Sequence, residues 1–277
     1  MVSSSEEKQI KDEQSLTKEQ AIANLQQKED PSLRYYAAWW LGRFRVKETV
    51  AIEALVEALT DETDRAPDGG YPLRRNAAKA LGKLGEKRVV PELIKCLECA
   101  DYYVRESAAE ALEMLGEQKA ITPLLKLLAG GVAAATQVPD KPHLVQPYEA
   151  VIEALGTLGA LEAMPVIEEF LAHPVPKVKY AAARAMYQLT QKPVYGEMLV
   201  AALQGDELQL RRAALMDIGA IGYVGGSEAI AATLAENSLK LISLKGLLEH
   251  QLKQDSKDSL TLSKASIRIM ELMDFLL

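Results

Sequence analysis

Apolar residues recur along the chain at helical spacing, in six copies of one short motif. Within a copy they fall at i, i+4, i+8 and i+11, as in the segment 104–115, which places them on one face of a helix. Each copy is followed by a short turn and a second amphipathic run, for example 91–97 after Gly85. The copies cover residues 34–44, 74–84, 105–115, 148–158, 179–189 and 211–221, of which the fourth is degenerate.

The spacing of the copies predicts the fold. The apolar residues that open them are 40, 31, 43, 31 and 32 residues apart, so the period is about 31 residues with two insertions. Two helices per unit cannot bury their apolar faces alone and must stack on neighbouring units. We therefore predict an all-α fold, a right-handed α-solenoid of HEAT-like helix-pair repeats. Alanines such as Ala37 and Ala77 are expected to let neighbouring helices approach closely.

Composition along the chain predicts the boundaries. We expect a disordered polar tail at 1–15, one solenoid at 16–250, and a linker with a C-terminal helix at 251–277 that docks on this array or on a partner. Thr17 and Asp30 are predicted to cap the first two helices.

The two insertions, 61–72 and 130–147, are rich in glycine, proline and polar residues, which predicts loops. Asp68-Gly69 predicts a tight turn within the first insertion. Long loops in a compact array are often functional.

Bulk composition excludes several classes of function. The 277 residues are 48% apolar, and 32 basic against 39 acidic residues give a net charge of -7, which disfavours nucleic-acid binding. No apolar run is long enough for a membrane span, and the polar start is not that of a signal peptide. Two cysteines without a secretory signal predict a reducing cytoplasm. Two cysteines and three scattered histidines do not form the ligand set of a metal site.

Aligning the copies shows one helix face on which the first copy differs from the others. The first column contains Tyr35, Arg75, Glu106, Glu149, Tyr180 and Arg212, and the second contains Trp39, Lys79, Glu110, Glu153, Arg184 and Met216. Both are mostly charged, which predicts a solvated face. Tyr35 and Trp39 are covered by the tail or another helix, or they form a stacking platform for a flat ligand or an anchor for a partner; we favour the second interpretation. Tyr36 and Trp40, which replace small residues, are predicted to be core.

Cations and carboxylates near the motif have structural and functional interpretations. One column opens each copy with a cation, as in Arg34, Arg74, Arg105, Lys179 and Arg211; we expect these cations to bridge repeats through acidic neighbours such as Asp30 and Asp101. Arg75 and Arg212, on the solvated face, are placed to hold carboxylates. Asp64 and Asp68 belong to a solvated loop or accept hydrogen bonds from ligand N–H groups.

No catalytic residue is assigned from the sequence. Cys96 and Cys99 have redox-motif spacing but lie within a helix, so packing is the favoured role. His143 and His173 are predicted to have generic surface roles. The chain contains no phosphate loop, nucleophile elbow or spaced catalytic triad.

Four segments carry a resemblance to a known family. Residues 34–44 (RYYAAWWLGRF), 61–85, 101–116 and 141–160 closely resemble the E-type subunit of the heterodimeric phycobilin lyases of cyanobacteria. The first two segments are the most specific. The likeness extends from about Leu16 to the C-terminal helix and leaves out the tail.

The resemblance implies a function that composition and periodicity do not. Such lyases are HEAT-like solenoids, and this chain would form a heterodimer with a related F-type subunit. The pair would attach phycocyanobilin through a thioether to a cysteine of the phycocyanin alpha subunit, with no cofactor besides the bilin substrate. The nucleophile would be the acceptor's cysteine rather than Cys96 or Cys99. The lyase would fix the conformation of the bilin and present it.

Candidate bilin-binding residues follow from this chemistry. Stacking is expected for Tyr35, Trp39 and Tyr71, propionate contacts for Arg74 and Arg75, and contacts with pyrrole nitrogens for Asp68 or Glu149. Two alternatives remain open: the corresponding subunit for phycoerythrocyanin, whose partner also isomerises the bilin, and a noncatalytic scaffold or chaperone for the apo-phycobiliprotein.

Overall fold

The computed structural model describes residues 16–255 and 261–277, and these residues form helices and connecting turns. The helices of the first half are α1 Lys18–Gln26, α2 Pro31–Arg43, α3 Thr49–Ala58, α4 Pro72–Leu84, α5 Val90–Cys96, α6 Tyr102–Leu115 and α7 Ile121–Leu127. Those that follow are α8 Gly131–Ala134, α9 Tyr148–Thr157, α10 Met164–Glu169, α11 Pro176–Thr190, α12 Pro193–Ala202, α13 Leu208–Ile221, α14 Ser227–Ala232, α15 Asn237–Asp255 and α16 Lys264–Leu276. The six motif copies form α2, α4, α6, α9, α11 and α13, which we call the motif helices.

The predicted caps define where the first helices begin. Thr17 accepts a hydrogen bond from the Gln20 amide in a capping box, and Asp30 accepts from the amides of Ser32 and Leu33, which satisfies donors that a helix leaves unpaired. At the other end, Gly85 closes α4 in the left-handed conformation, with a φ of 73°, where glycine has no steric penalty. The predictions for both caps are confirmed.

The chain divides into two compact units, and the boundary falls within α7, between Pro123 and Leu124. In the first unit α2, α4 and α6 pack side by side, with α1, α3 and α5 against them. In the second unit α9, α11, α13 and α15 pack in the same way. The all-α solenoid of helix pairs is confirmed, and the single array over 16–250 stays a prediction.

The C-terminal part of the chain differs from the expected boundary. Helix α15 extends to Asp255, beyond the predicted end of the array at residue 250. Helix α16 packs against α14 and α15, so it docks on this array. Ser263 caps α16, and the Asp255 carboxylate accepts hydrogen bonds from Ser263 and Ser266. The predicted tail, 1–15, lies outside the described residues.

The closest approach between motif helices occurs at a recurring glycine. A Cβ atom added to Gly42 would lie 2.7 Å from the Cα atom of Ala80, and one added to Gly82 would lie 2.8 Å from that of Ala111. Gly156 and Gly219 make equivalent contacts in the second unit. The contacts of Gly42, Gly82 and Gly156 join one motif helix to the next, and that of Gly219 joins α13 to α15, so glycine at this position, rather than alanine alone, sets the helix spacing.

We expect the substitution Gly82→Ala to destabilise the protein by about 1–3 kcal/mol. Alanine favours a helix over glycine by about 1 kcal/mol, but its Cβ atom would force α4 away from α6. The matched control is Gly205→Ala, whose Cβ atom would meet nothing closer than 3.5 Å. Urea unfolding followed by far-ultraviolet circular dichroism checks both. Equal midpoints for Gly82→Ala and the wild type would contradict the packing role.

The second insertion is more ordered than a plain loop. It contains α8 and an isolated bridge between Gln137 and Leu144. His173 is buried beside it, with Nε2 3.4 Å from the Ala135 carbonyl and its ring stacked on Phe170. The expected surface role of His173 is therefore wrong, because the insertion folds over the histidine. His143 is half-buried, and its Nδ1 atom lies 2.8 Å from the Leu144 carbonyl.

No helix within residues 16–255 and 261–277 combines the length and the apolar composition that crossing a membrane requires.

Candidate functional site

Helix α2 presents aromatic rings on its surface. Tyr35 is 44% exposed and Trp39 is 42% exposed, so the described residues leave both rings accessible. The Trp39 ring stacks on Tyr36, with a centroid distance of 5.5 Å and an interplanar angle of 29°. Tyr36 is itself 48% exposed, which contradicts its predicted core position. Trp40 is half-buried and its ring lies 4.5 Å from that of Phe44.

The position of α2 in the repeat explains why Tyr36 is exposed. Its equivalent in the next motif helix, Asn76, is buried against α2 and donates a hydrogen bond to the Tyr35 carbonyl. Its equivalent in α6, Ser107, is fully buried. Since α2 is the first motif helix described, no earlier one covers the same face. Tyr36 instead supports one face of Trp39 and leaves the other face of the indole available.

The columns beside the aromatic rings carry ion pairs between successive helices, as a solvated face predicts. In the first unit Lys79 Nζ lies 3.3 Å from Glu110 Oε2. In the second unit Arg184 lies 2.9 Å from Glu153 and 3.4 Å from Asp217. The Lys79–Glu110 and Arg184–Glu153 pairs show that residues of one column on adjacent motif helices reach each other.

Arginines that open the motif helices have structural roles. Arg34 is 6% exposed and donates to the Leu25 carbonyl, the Thr63 hydroxyl and, at 2.7 Å, the Asp61 carboxylate. Its acidic partner is therefore Asp61 rather than the predicted Asp30. Arg105 donates to the carbonyls of residues 99 and 100, and the nearby Asp101 carboxylate also interacts with it electrostatically.

Asp61 is held in its charged form by the same cluster. Burial opposes the charge, but hydrogen bonds from the Arg34 side chain, the Asp64 amide and the Thr63 hydroxyl lower the pKa of Asp61 from 3.8 to about 2. Its side chain is 11% exposed and that of Arg34 is 8% exposed. The pair fixes the start of the first insertion against the first motif helix.

The remaining acidic residues of the first insertion hold its backbone. Asp64 accepts a hydrogen bond from the Leu73 amide, and burial raises the pKa of the Asp64 carboxyl. Asp68 is exposed and accepts from the Gly70 amide, while Gly69 has a φ of 88°. The predicted tight turn is confirmed. Asp64 is committed to the loop itself, whereas Asp68 still presents carboxylate oxygen to solvent.

Two guanidinium groups lie against the ring of Tyr71. The Arg65 group lies 4.0 Å from the ring centroid and the Arg74 group lies 3.9 Å from it. The Tyr71 amide donates to Asp101, which also caps α6, so the insertion is tied to the third motif helix. A pyrrole that stacks on Tyr71 would therefore have to compete with these two guanidinium groups.

Arg74 is similarly committed within the protein. Its Nε atom donates to the Asp61 carbonyl at 2.6 Å, and Nη2 donates to the Thr60 carbonyl at 3.2 Å and approaches Glu62. Donors that already have partners are poorly placed to hold a ligand carboxylate. The structure therefore places Arg74 as a support for Tyr71 and the insertion.

The other two candidates lie in different units. Arg75 is half-buried with its guanidinium 4.3 Å from the centre of the Tyr103 ring, and its buried Nε has no hydrogen-bond partner. Glu149 is half-buried in the first turn of α9, in the second unit. Arg212, also considered as a carboxylate binder, donates two hydrogen bonds to Glu236, so its own chain occupies it.

The Cys96 thiol is not placed to act as a nucleophile. Cys96 is 7% exposed, and burial, with Cys99 nearby, raises the pKa of its thiol to about 12. A thiol that stays protonated is a poor nucleophile. Packing, as predicted, accounts for Cys96.

Sequence reasoning did not identify the Arg34–Asp61 pair or the Arg65 contact with Tyr71. The residues of the ion pair are 27 positions apart, and nothing in the helical periodicity links them. One sequence signal for the ion pair was available. All four residues of 61–64, which open the first insertion, carry hydroxyl or carboxylate groups.

Comparisons with known proteins match the whole repeat region. The HEAT repeat family matches residues 64–137 and 146–235, and the PBS lyase HEAT-like repeat family matches residues 33–61. The phycocyanobilin lyase subunit alpha of Nostoc sp. is 62% identical over 262 residues, which cover 95% of this chain and 94% of the relative. That of Synechocystis sp. is 64% identical over 94% of this chain and 96% of the relative. The chain belongs to the family of phycocyanobilin lyase alpha subunits.

Two further comparisons add a solved structure and a more distant relative. A chain of the solved complex of CpcE and CpcF of phycocyanin lyase from Nostoc sp. PCC7120 aligns with a TM-score of 0.88 at 63% identity, covering 95% of this chain and 96% of that one. The bilin biosynthesis protein PecE of Mastigocladus laminosus is 47% identical over 87% of this chain and 84% of that protein.

Proposed function

We propose that this chain is one subunit of a heterodimeric bilin lyase that attaches phycocyanobilin through a thioether to a cysteine of the phycocyanin alpha subunit. The observation that carries the proposal is near-complete coverage at 62–64% identity by relatives named phycocyanobilin lyase subunit alpha. The similar chain in the complex of CpcE and CpcF supports an F-type subunit as the partner. The bilin is the substrate, and the proposal needs no further cofactor.

The geometry supports catalysis by positioning. Trp39 and Tyr35 present ring surface on which a flat conjugated bilin can stack, and Arg75 lies in the same column as Tyr35 with guanidinium donors for a propionate. The acceptor's cysteine supplies the sulfur that bonds to the ethylidene carbon, and the proton of the thiol ends on the adjacent ring carbon. Holding the bilin in one conformation against that thiol converts an encounter into a directed reaction.

The free thiols of Cys96 and Cys99 are compatible with a reducing compartment. We accordingly place the reaction in the cytoplasm.

A second candidate acceptor is the phycoerythrocyanin alpha subunit. The observation in its favour is the similarity to PecE. Its 47% identity is lower than the 62–64% of the phycocyanobilin lyase relatives, which ranks it second.

Coexpression tests the proposal directly. The chain is produced with its F-type partner, a bilin source and either the phycocyanin or the phycoerythrocyanin alpha subunit, and covalent bilin fluorescence is read on denaturing gels. We expect fluorescence on the phycocyanin subunit that depends on both lyase chains. Attachment only to the phycoerythrocyanin subunit would support the second candidate. Attachment that is unchanged when this chain is omitted would contradict a lyase role.

A binding experiment separates the lyase from a noncatalytic scaffold for the apo-phycobiliprotein. The purified chain is mixed with phycocyanobilin, with and without the F-type subunit, and bilin absorbance is followed. A lyase that orients the bilin shifts its absorbance before any acceptor is added. A scaffold leaves the absorbance of the bilin unchanged while still binding the acceptor.

We expect the double substitution Cys96→Ser/Cys99→Ser to leave bilin attachment intact. The Cys96 thiol is buried and protonated, and the acceptor supplies the reacting sulfur. Burial of a serine hydroxyl at position 96 lowers stability by about 1–2 kcal/mol, so the assay is run where the variant is folded by circular dichroism. A folded variant that no longer supports attachment would assign a chemical role to one of these thiols.

A further inference from the structure

Two exposed cations lie next to the aromatic rings of α2 and are not used by the fold. Arg43 ends α2 and Lys83 lies in the last turn of α4. Both are exposed, and neither side chain forms an ion pair or hydrogen bond with any residue of 16–255 or 261–277. They belong to a third column, one helical turn after the second, which contains Arg43, Lys83, Met114, Thr157, Gln188 and Ala220.

The helix packing brings Arg43 and Lys83 side by side. Gly42, which precedes Arg43, meets Ala80 of α4 in the close contact described above, and Lys83 lies one turn beyond Ala80. Column neighbours on adjacent motif helices reach each other elsewhere: Gln188 donates to the Thr157 hydroxyl at 3.3 Å in this same third column. Arg43 and Lys83 are therefore neighbours in this column, and we expect a carboxylate between the two helices to be within reach of both flexible side chains.

This placement is electrostatically unfavourable without an anion. The neighbouring second column pairs Lys79 with Glu110, and in the second unit it pairs Arg184 with Glu153. At the equivalent step the third column sets a cation beside a cation, and adjacent like charges repel. The carbonyl groups at the C-terminal ends of the two helices stabilise each cation, and this offsets part of the repulsion between Arg43 and Lys83. An anion between Arg43 and Lys83 would remove the repulsion.

The surroundings indicate what kind of anion fits. Trp39 lies one turn before Arg43 on the same helix face and presents an open ring. A ligand that satisfies both features has a flat conjugated body and a carboxylate on a short flexible arm. We propose, on the basis of the proposed function above, that Arg43 and Lys83 bind a propionate carboxylate of the bilin while Trp39 stacks on its pyrrole system.

Arg43 and Lys83 would contribute different interactions with the carboxylate. The planar guanidinium of Arg43 offers two parallel donors to one carboxylate, and the Lys83 ammonium adds a point charge. Arg74, which the sequence had suggested for this role, is occupied by the carbonyls of Asp61 and Thr60. The free cations thus lie on the motif-helix face, beside the rings, rather than under the first insertion.

The experiment compares two ligands on four proteins. The ligands are phycocyanobilin and its dimethyl ester, which keeps the conjugated system and removes both carboxylates. The proteins, each copurified with the F-type partner, are the wild type, Arg43→Gln/Lys83→Gln, the single variant Arg43→Gln, and the control Arg88→Gln. Arg88 is an exposed arginine after α4 that lies outside the three columns. Dissociation constants come from titrations of bilin absorbance, and circular dichroism verifies that each variant is folded.

We expect the wild type and Arg88→Gln to bind the free acid at least about tenfold more tightly than the ester. The double variant should show a reduced preference for the acid, because it binds the acid more weakly while its affinity for the ester stays unchanged. The single variant Arg43→Gln should have a preference for the acid that lies between those of the wild type and the double variant. In the attachment assay the apparent KM for the bilin should rise in the double variant with little change in kcat.

Two results would count against the proposal in distinguishable ways. A folded double variant that keeps the wild-type preference for the acid over the ester would overturn the carboxylate site and leave the proposed lyase function intact. A wild-type complex that shifts the absorbance of neither ligand would overturn bilin binding itself, and with it both proposals.

Discussion

Replacing Trp39 by alanine is expected to weaken bilin binding by about 30-fold, the effect of removing an aromatic anchor worth about 2 kcal/mol. The indole is 42% exposed and is supported on one face by Tyr36, so its position is fixed before a ligand arrives. The loss should appear in absorbance titrations of the complex with its F-type partner. Attachment measured at low bilin concentration should fall in parallel, because a bilin that is not held is not oriented.

The matched control for this substitution is Phe44→Ala. Phe44 is also an exposed aromatic residue, at the end of α2, but it packs against Trp40 and lies outside the two columns. We expect it to bind bilin as the wild type does. Trp39→Phe should retain most of the affinity, since a smaller ring still offers a stacking face. If Trp39→Ala bound bilin with wild-type affinity, the aromatic platform would have no role in substrate binding.

Replacing Asp61 by asparagine is expected to destabilise the first unit by about 3 kcal/mol, because it leaves the buried Arg34 guanidinium without a counter-charge. The variant keeps an oxygen for the Thr63 and Asp64 amides, so the change is confined to the charge and to the Oδ2 acceptor that Arg34 uses. Both tryptophans of the chain, Trp39 and Trp40, lie in α2. Their fluorescence during urea unfolding therefore reports on the unit that contains the pair.

The pH dependence of stability gives an independent check of the same pair. The pKa of Asp61 is lowered from 3.8 to about 2 in the folded protein, so the folded state binds the proton less readily than the unfolded state. The stabilisation is complete above about pH 4 and is lost as the pH falls towards 2. The difference in the free energy of unfolding between the wild type and Asp61→Asn should therefore shrink as the pH falls from about 4 to about 2.

A surface carboxylate provides the control for Asp61. Glu62 follows it in the chain, is 81% exposed and approaches Arg74 at 3.5 Å. An exposed pair of this kind contributes little, so Glu62→Gln should unfold at the wild-type urea concentration. If Asp61→Asn also kept the wild-type midpoint at pH 7, the ion pair would not be what fixes the first insertion.

Local patterns in the sequence determined the helical repeat and the helix boundaries. A stripe at i, i+4, i+8 and i+11 requires only neighbours within one helix, and caps such as Asp30 act on the next few amides. Comparison between copies also identified Tyr35 and Trp39 as exposed rings, because equivalent positions in a repeat share an environment. The same reasoning failed for Tyr36, because the described residues include no earlier motif helix to bury it as its equivalents are buried.

Tertiary structure alone decided which arginines are available to a ligand. Arg74 and Arg43 are both arginines of the motif region, but carbonyls of the first insertion occupy Arg74 and nothing in the described chain occupies Arg43. Likewise Tyr71 is covered by Arg65 and Arg74, and its amide reaches Asp101, 30 residues away. Those contacts depend on how the loop returns to helices distant in sequence, which helical periodicity does not encode. The sequence by itself determined where the rings and charges lie along each helix, and the packing determined which of them remain free.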